Sequence, residues 1–170
     1  MINTEPHIHE NVVCANIFIR KDKKYVMLKR SEQKKYAPGF VHPFGGKLDP
    51  NENPYLGAQR EVLEECGIKL KDMKLEAVIL EITPHKGMKN DWLIFHFSAD
   101  YESGEIEETE EGEILYLTND EILKQNLFPS VRAIITNILN PNDGTVFATF
   151  AYDENGEIDE SQSNINICKV

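Results

Sequence analysis

The sequence predicts an α+β fold in which strands surround one dominant helix, arranged as an α/β/α sandwich. Three observations predict it. Short runs rich in β-branched and aromatic residues recur along the chain. The segment that opens at Asn53-Pro54 carries both start and stop signals of a helix. A second helical stretch, opened by Pro129, follows late in the sequence. At 170 residues the chain reads as a single domain spanning 1–170, long enough to bury a core without disulfides or a structural metal.

Residues 11–19, NVVCANIFI, and 25–29, YVMLK, flank the polar turn RKDKK and read as a β-hairpin. Residues 31–46 hold three glycines and two prolines and read as a loop, which ends in Phe44-Gly45-Gly46-Lys47. Asn53 is the expected N-cap and Pro54 suits the first helical turn, where its missing N–H is not needed. The helix runs over 54–66, and Gly67 fits the left-handed position that ends many helices. Strands follow at 74–83 and 91–101, separated by a loop, and a shorter one at 113–117. Asn119 is the expected cap of a short helix over DEILKQ, and Pro129 opens another through Leu139. The end of the chain, about 145–163, predicts a second hairpin: TVFATFAY and EIDES flank Asp153-Glu154-Asn155-Gly156, and Asn-Gly is a strong turn signal.

Composition narrows the function. Acidic residues outnumber basic ones by 29 to 18, for a net charge of −11. Such a surface repels duplex phosphate and anionic lipid, so neither duplex nucleic acid nor a membrane is an expected partner. A small phosphorylated ligand remains compatible, because a metal ion supplies positive charge locally. The three cysteines, Cys14, Cys66 and Cys168, are widely spaced and odd in number, which fits reduced thiols and a cytoplasmic location. No signal-peptide pattern opens the sequence, and no apolar run is long enough to cross a bilayer.

The chemistry lies on the first helix. At 3.6 residues per turn, Glu61, Glu64 and Glu65 share one face, with Gly57 one turn earlier, while Leu56, Val62, Leu63 and Cys66 form a side expected to pack against a sheet. Three like charges on one face repel, and a divalent cation reverses that interaction. Carboxylate oxygens without histidine or thiolate favour hard ions, Mg²⁺ first and Mn²⁺ second. Gly45-Gly46 just upstream lets backbone amides approach an anion. An acidic metal face beside a glycine loop suits a polyphosphate, with water attacking phosphorus.

The residues Gly46, Glu52, Arg60, Glu61, Val62, Glu64, Glu65, Gly67 and Ile68 fill every fixed place of G-x5-E-x7-R-E-U-x-E-E-x-G-U, with U aliphatic. This stretch, 46–68, resembles the Nudix box. A chance match in residues of these proportions is about one in 10⁶, too rare to set aside. The resemblance implies the Nudix fold, an α/β/α sandwich with a mixed β-sheet, and hydrolysis of a phosphoric anhydride. It implies that Glu61, Glu64 and Glu65 bind Mg²⁺ together with the Gly46 carbonyl, and that Glu64 and Glu65 act in catalysis. It further implies that Glu52 and Arg60 tie loop to helix, and that a glutamate of the later acidic loop, Glu108 or Glu111, assists as base or ligand.

Phe44-Gly45-Gly46-Lys47 and the later Phe128-Pro129 are similar to the MutT-like, oxidised-purine nucleoside triphosphatases. By that resemblance Gly45, Gly46, Lys47, His42 and Phe128 are the candidate substrate-binding residues, with Phe128 stacking on a purine. Two positions depart from the pattern. Ser130-Val131 stands where an acidic pair reads the base, and His42 where an asparagine contacts it, so base recognition is altered or lost while phosphate chemistry survives. The implied reaction is cleavage of a nucleoside triphosphate, 8-oxo-dGTP among the candidates, to monophosphate and pyrophosphate by a monomer or homodimer. The alternatives are an ADP-ribose or nucleotide-sugar pyrophosphatase, cued by Pro84, and a non-catalytic binding module of the same fold.

Overall fold

The computed structural model describes residues 10–82, 90–106, 112–140 and 144–169. The first hairpin forms as expected from β1 (Asn11–Lys21) and β2 (Lys24–Arg30). Its two-residue turn places Asp22 and Lys23 at φ 51° and 63°, the double positive φ that matches the right-handed twist of paired strands.

The glycine-rich stretch expected to be loop throughout ends instead in two short strands, β3 (Val41–His42) and β4 (Phe44–Lys47). β4 lies antiparallel to β1, with Cys14 opposite Lys47 and Ile17 opposite Phe44. Glycine makes this pairing possible. A Cβ on Gly45, whose φ is +137°, would stand 2.1 Å from the Ala15 carbonyl oxygen, so no side chain fits there.

Helix α1 (Pro54–Cys66) has the expected bounds. Asn53 Oδ1 accepts the Tyr55 N–H at 2.9 Å, and Gly67, at φ 71°, donates its N–H to the Leu63 carbonyl. Its buried side corrects the expectation. Ala58, Val62 and Cys66 face the core with Gly57, whereas Leu56 and Leu63 are 60% and 52% exposed. Ala58, Val62 and Cys66 follow the i, i+4, i+8 stripe, and Leu56 and Leu63 fall off it.

Strand β5 (Lys69–Ile82) runs antiparallel to β6 (Asp91–Ser103), and β6 runs parallel to β1. β7 (Gly112–Leu117) pairs antiparallel with β2. The short α2 (Asn119–Ile122) is capped by Thr118 rather than Asn119. Thr118-Asn119-Asp120-Glu121 is a capping box: Glu121 returns to the Thr118 N–H at 2.8 Å, a reciprocity Asn119 does not have. Helix α3 (Pro129–Leu139) keeps its expected bounds.

The C-terminal hairpin pairs β8 (Thr145–Ala151) with β9 (Asn164–Cys168), not with EIDES. The Asp153–Gly156 turn closes only the bridge Tyr152 to Ile158. Asp159 then bends the chain by accepting from Ser161 and Gln162, which delays pairing until Asn164.

Sheet order among the described residues is β3-β2-β1-β6-β5-β8-β9, with β4 on β1 and β7 on β2, and β5 runs parallel to β8. The sheet is therefore mixed, and helices lie on both sides. Strand alternation builds the two cores. Ala15, Ile17, Ile19, Val26 and Leu28 pack under Ala58, Val62 and Cys66 of α1. Phe18, Met27, Ala77 and Ile79 pack under Val131, Ile134, Ile135 and Ile138 of α3.

Candidate active site

The register of β4 on β1 and the start of α1 bring the glycine pair against the acidic helix face. Glu65 Oε2 accepts the Gly45 N–H at 3.0 Å. A Cβ on Gly46 would meet Glu61 Oε2 at 2.5 Å, so the missing side chain is what admits the carboxylate. Gly57 does the same for Glu52, whose Oε2 would stand 2.7 Å from a Cβ there.

Arg60 organises the acids. Its Nε and Nη2 donate to the two oxygens of Glu52, both at 2.8 Å, a bidentate fork. Its Nη1 donates to Glu61 at 2.9 Å and to Glu64 at 3.0 Å. The guanidinium holds the Glu52 carboxyl down at about 2, helped by the Asp49 backbone N–H. In return Arg60 holds its own proton more firmly, first through Glu52 and then through Glu61 and Glu64, against a desolvation effect of opposite sign. Through Glu52, the turn at Asp49 is joined to the helix.

The carboxylates are not equally placed. Glu61 is largely covered, while Glu64 is 60% exposed at its side chain. Among the described residues no group of three His, Cys, Asp or Glu side chains is gathered closely enough to hold an ion. The donors nevertheless fit a hard divalent ion in kind: three carboxylates and the Gly46 carbonyl, all oxygen.

Lys47 follows the glycines and sets its ammonium 5.6 Å from the Trp92 ring centre. His42 and Phe128 meet at 6.1 Å between ring centres. Phe128 also contacts Phe40 at 4.8 Å and lies stacked at 5.9 Å from Tyr36. The structure thus joins two residues 86 positions apart into one aromatic wall. Glu108 and Glu111 lie outside the described residues, as does Pro84.

Sequence reasoning missed two buried polar groups on the strands of the sheet. Glu81 on β5 is buried, accepts the Tyr152 hydroxyl at 3.0 Å and is hydrogen-bonded by Ser130. Its only sequence signal was an acid in an apolar strand, at the position that continues the inward-facing Ala77 and Ile79. His96 on β6 is also buried, and neither ring nitrogen finds a hydrogen-bond partner among the described residues.

Known proteins bear on this site. The NUDIX domain model matches residues 9–138. A MutT-like protein of Streptomyces ambofaciens is 31% identical over 121 residues, 70% of each chain. The NAD-capped RNA hydrolase NudC of Haemophilus influenzae is 30% identical over 97 residues, 56% of this chain, and the match spans only 34% of that protein. The crystal structure of the MutT protein from Bacillus halodurans superimposes with a TM-score of 0.77 at 21% identity, covering 91% of this chain and 97% of that one. With its box complete, its sheet mixed and helices on both sides of that sheet, the chain belongs to the Nudix hydrolase family, which acts on pyrophosphate bonds.

Proposed function

We propose that the protein is a Mg²⁺-dependent pyrophosphohydrolase that cleaves a nucleoside triphosphate to the monophosphate and pyrophosphate. The observation that carries this reading is the seating of Glu61 and Glu65 against the Gly46-Gly45 backbone, on the helix that also bears Glu64. Glu61, Glu64, Glu65 and the Gly46 carbonyl would hold the ion, with Mn²⁺ as a substitute. Once bound, a divalent cation neutralises phosphate charge and lowers the pKa of attacking water. The chain's own part is positional: Arg60 and Glu52 fix the loop on the helix, and Gly45 keeps β4 close to β1. Phe128, with Tyr36 and His42, provides the aromatic surface for a base.

The reading places the enzyme in the cytoplasm, acting on small nucleotides, and assigns the role of base to Glu108 or Glu111. Among the described residues no helix is long and apolar enough to cross a membrane.

The test is a hydrolysis screen with Mg²⁺ over nucleoside triphosphates, oxidised and unoxidised, with ADP-ribose, dinucleoside polyphosphates and capped RNA ends. Pyrophosphate released from a triphosphate is the expected outcome. AMP with a sugar phosphate points instead to ADP-ribose chemistry, and no turnover at all points to a binding module. Glu64→Gln and Glu65→Gln are each expected to lower kcat about 100-fold in a folded protein, since each removes a charged oxygen ligand. Near-wild-type rates in both variants defeat the metal assignment.

A further inference from the structure

The buried carboxyl of Glu81 has no role in the chemistry above, yet it stands beside the aromatic wall. It occupies the same face of β5 as Ala77 and Ile79, whose partners are the apolar side chains of α3. A third apolar residue would continue that pattern. Instead the strand presents an acid that is 7% exposed.

Its surroundings are polar hydroxyls and rings. Tyr152 donates to it at 3.0 Å, and Ser130, two residues beyond Phe128, also bonds to it. Burial raises its pKa, and these two hydroxyls oppose the rise. Burial also pushes Tyr36 up to about 12, with Glu81 adding to the effect, so Tyr36 lies within the field of this carboxyl. Tyr36 stacks with Phe128. Ile79 pairs across the sheet with Ile94 of β6, and Ile94 with Cys14 of β1, so Glu81, two residues beyond Ile79, shares a sheet face with Cys14. The Asn16 side chain, on the same face as Cys14, lies beside Gly45. Ser130 thus links the carboxyl to the helix that Phe128 precedes, and Asn16 links the same sheet face to Gly45.

A carboxylate offers about four lone-pair positions. The described residues fill some of them with hydroxyl donors and bring no basic side chain to it. The remaining capacity suits a ligand edge with two adjacent N–H donors. Among nucleobases, guanine presents such an edge through N1–H and the N2 amino group, whereas adenine and cytosine offer a donor beside an acceptor.

We infer that Glu81 is a specificity-determining residue, its carboxylate accepting the paired N–H donors of a guanine-type base stacked on Phe128. This deepens the proposed function and rests on it. It also assigns a base-reading carboxylate to β5 in a chain whose α3 start carries Ser130-Val131. Oxidation at C8 leaves the N1–N2 edge unchanged, so Glu81 selects guanine over adenine without separating oxidised from unoxidised guanine.

The test is titration calorimetry of wild-type protein with GMP, IMP and AMP, ligands that bind without being hydrolysed. GMP is expected to bind about 10- to 100-fold tighter than AMP, the range for one bidentate contact, with IMP between them because it lacks the N2 amino group. Glu81→Gln places an N–H₂ against that edge and is expected to abolish the preference. In turnover, the ratio of the GTP KM to the ATP KM should rise about 10-fold or more. Tyr152→Phe keeps the carboxylate and is expected to keep the preference for GMP. Equal wild-type affinity for GMP, IMP and AMP overturns the inference, as does an equal loss for all three in Glu81→Gln. If the wild type selects GMP but hydrolyses no triphosphate, the proposed activity fails and the base contact stands.

Discussion

Lowering the pH should load a specific instability into β6. Burial among core side chains pushes the His96 imidazole down to about 3, from 6.5. Its ring lies 5.9 Å from Phe18, and neither nitrogen has a hydrogen-bond partner among the described residues. Between pH 6.5 and 3 the unfolded chain binds a proton there that the folded chain excludes, so stability falls as pH falls. The slope approaches about 1.4 kcal/mol per pH unit. From pH 6.5 to 4.5 the loss is about 2 kcal/mol once the gradual onset near 6.5 is included. His96→Leu removes the titrating group and keeps the site apolar. The assay is urea unfolding of both proteins at pH 6.5, 5.5 and 4.5. Other groups cancel in the difference between them. Glu52 has its carboxyl depressed to about 2, so its contribution is lost only below about 4.5. Glu81, with a raised pKa, acts in the opposite sense but equally in both proteins. The wild type should lose about 2 kcal/mol more than the variant across this window. Parallel pH profiles would refute the reasoning, because they would mean that folded His96 accepts the proton as readily as the unfolded chain does.

Three further outcomes are expected. Gly45→Ala should lower stability by about 3 kcal/mol, read as a drop in Tm, because it adds backbone strain at a positive φ and a clash with the Ala15 carbonyl. An unchanged Tm would mean that β4 does not approach β1 so closely. Thr118→Ala should remove about 1 kcal/mol through loss of the cap, whereas Asn119→Ala should change stability by less than about 0.5 kcal/mol; the reverse ranking would restore Asn119 as the cap. With a thiol reagent at neutral pH, exposed Cys168 should react in the native protein, while Cys14 and Cys66, both buried and pushed up to about 12, should react only after unfolding.

Most local signals hold, although the cap of α2 falls on Thr118, one residue before the expected Asn119. Asn53-Pro54 and Gly67 set the ends of α1 because capping is decided within one turn. Pro129 opens α3 for the same reason. Glu52 and Arg60 meet because only eight residues of loop and helix separate them. The remaining misses come from tertiary competition. FGGK reads as loop by its glycines, yet β1 supplies an edge that recruits it as a strand. Leu56 and Leu63 are large and apolar, but the helix lies close over its smaller Ala58 stripe and leaves them outside. EIDES sits next to a strong turn signal, but Asp159 bends the chain again before the strand can extend. Glu81 and His96 were invisible as buried polar groups because their surroundings depend on Tyr152, Ser130 and Phe18, all distant in the chain.

The pairing of β1 has an evolutionary consequence. Over Cys14–Ile17 it is bonded to β4 on one edge and β6 on the other, and its alternate side chains serve opposite faces. Insertion or deletion of one residue there would turn Ala15 and Ile17 away from α1, turn Cys14 and Asn16 toward it, and slide Gly45 out of its notch, all in a single step. This segment should therefore accept point replacements far more readily than changes in length, and its residue count should outlast its residue identities as the sequence drifts.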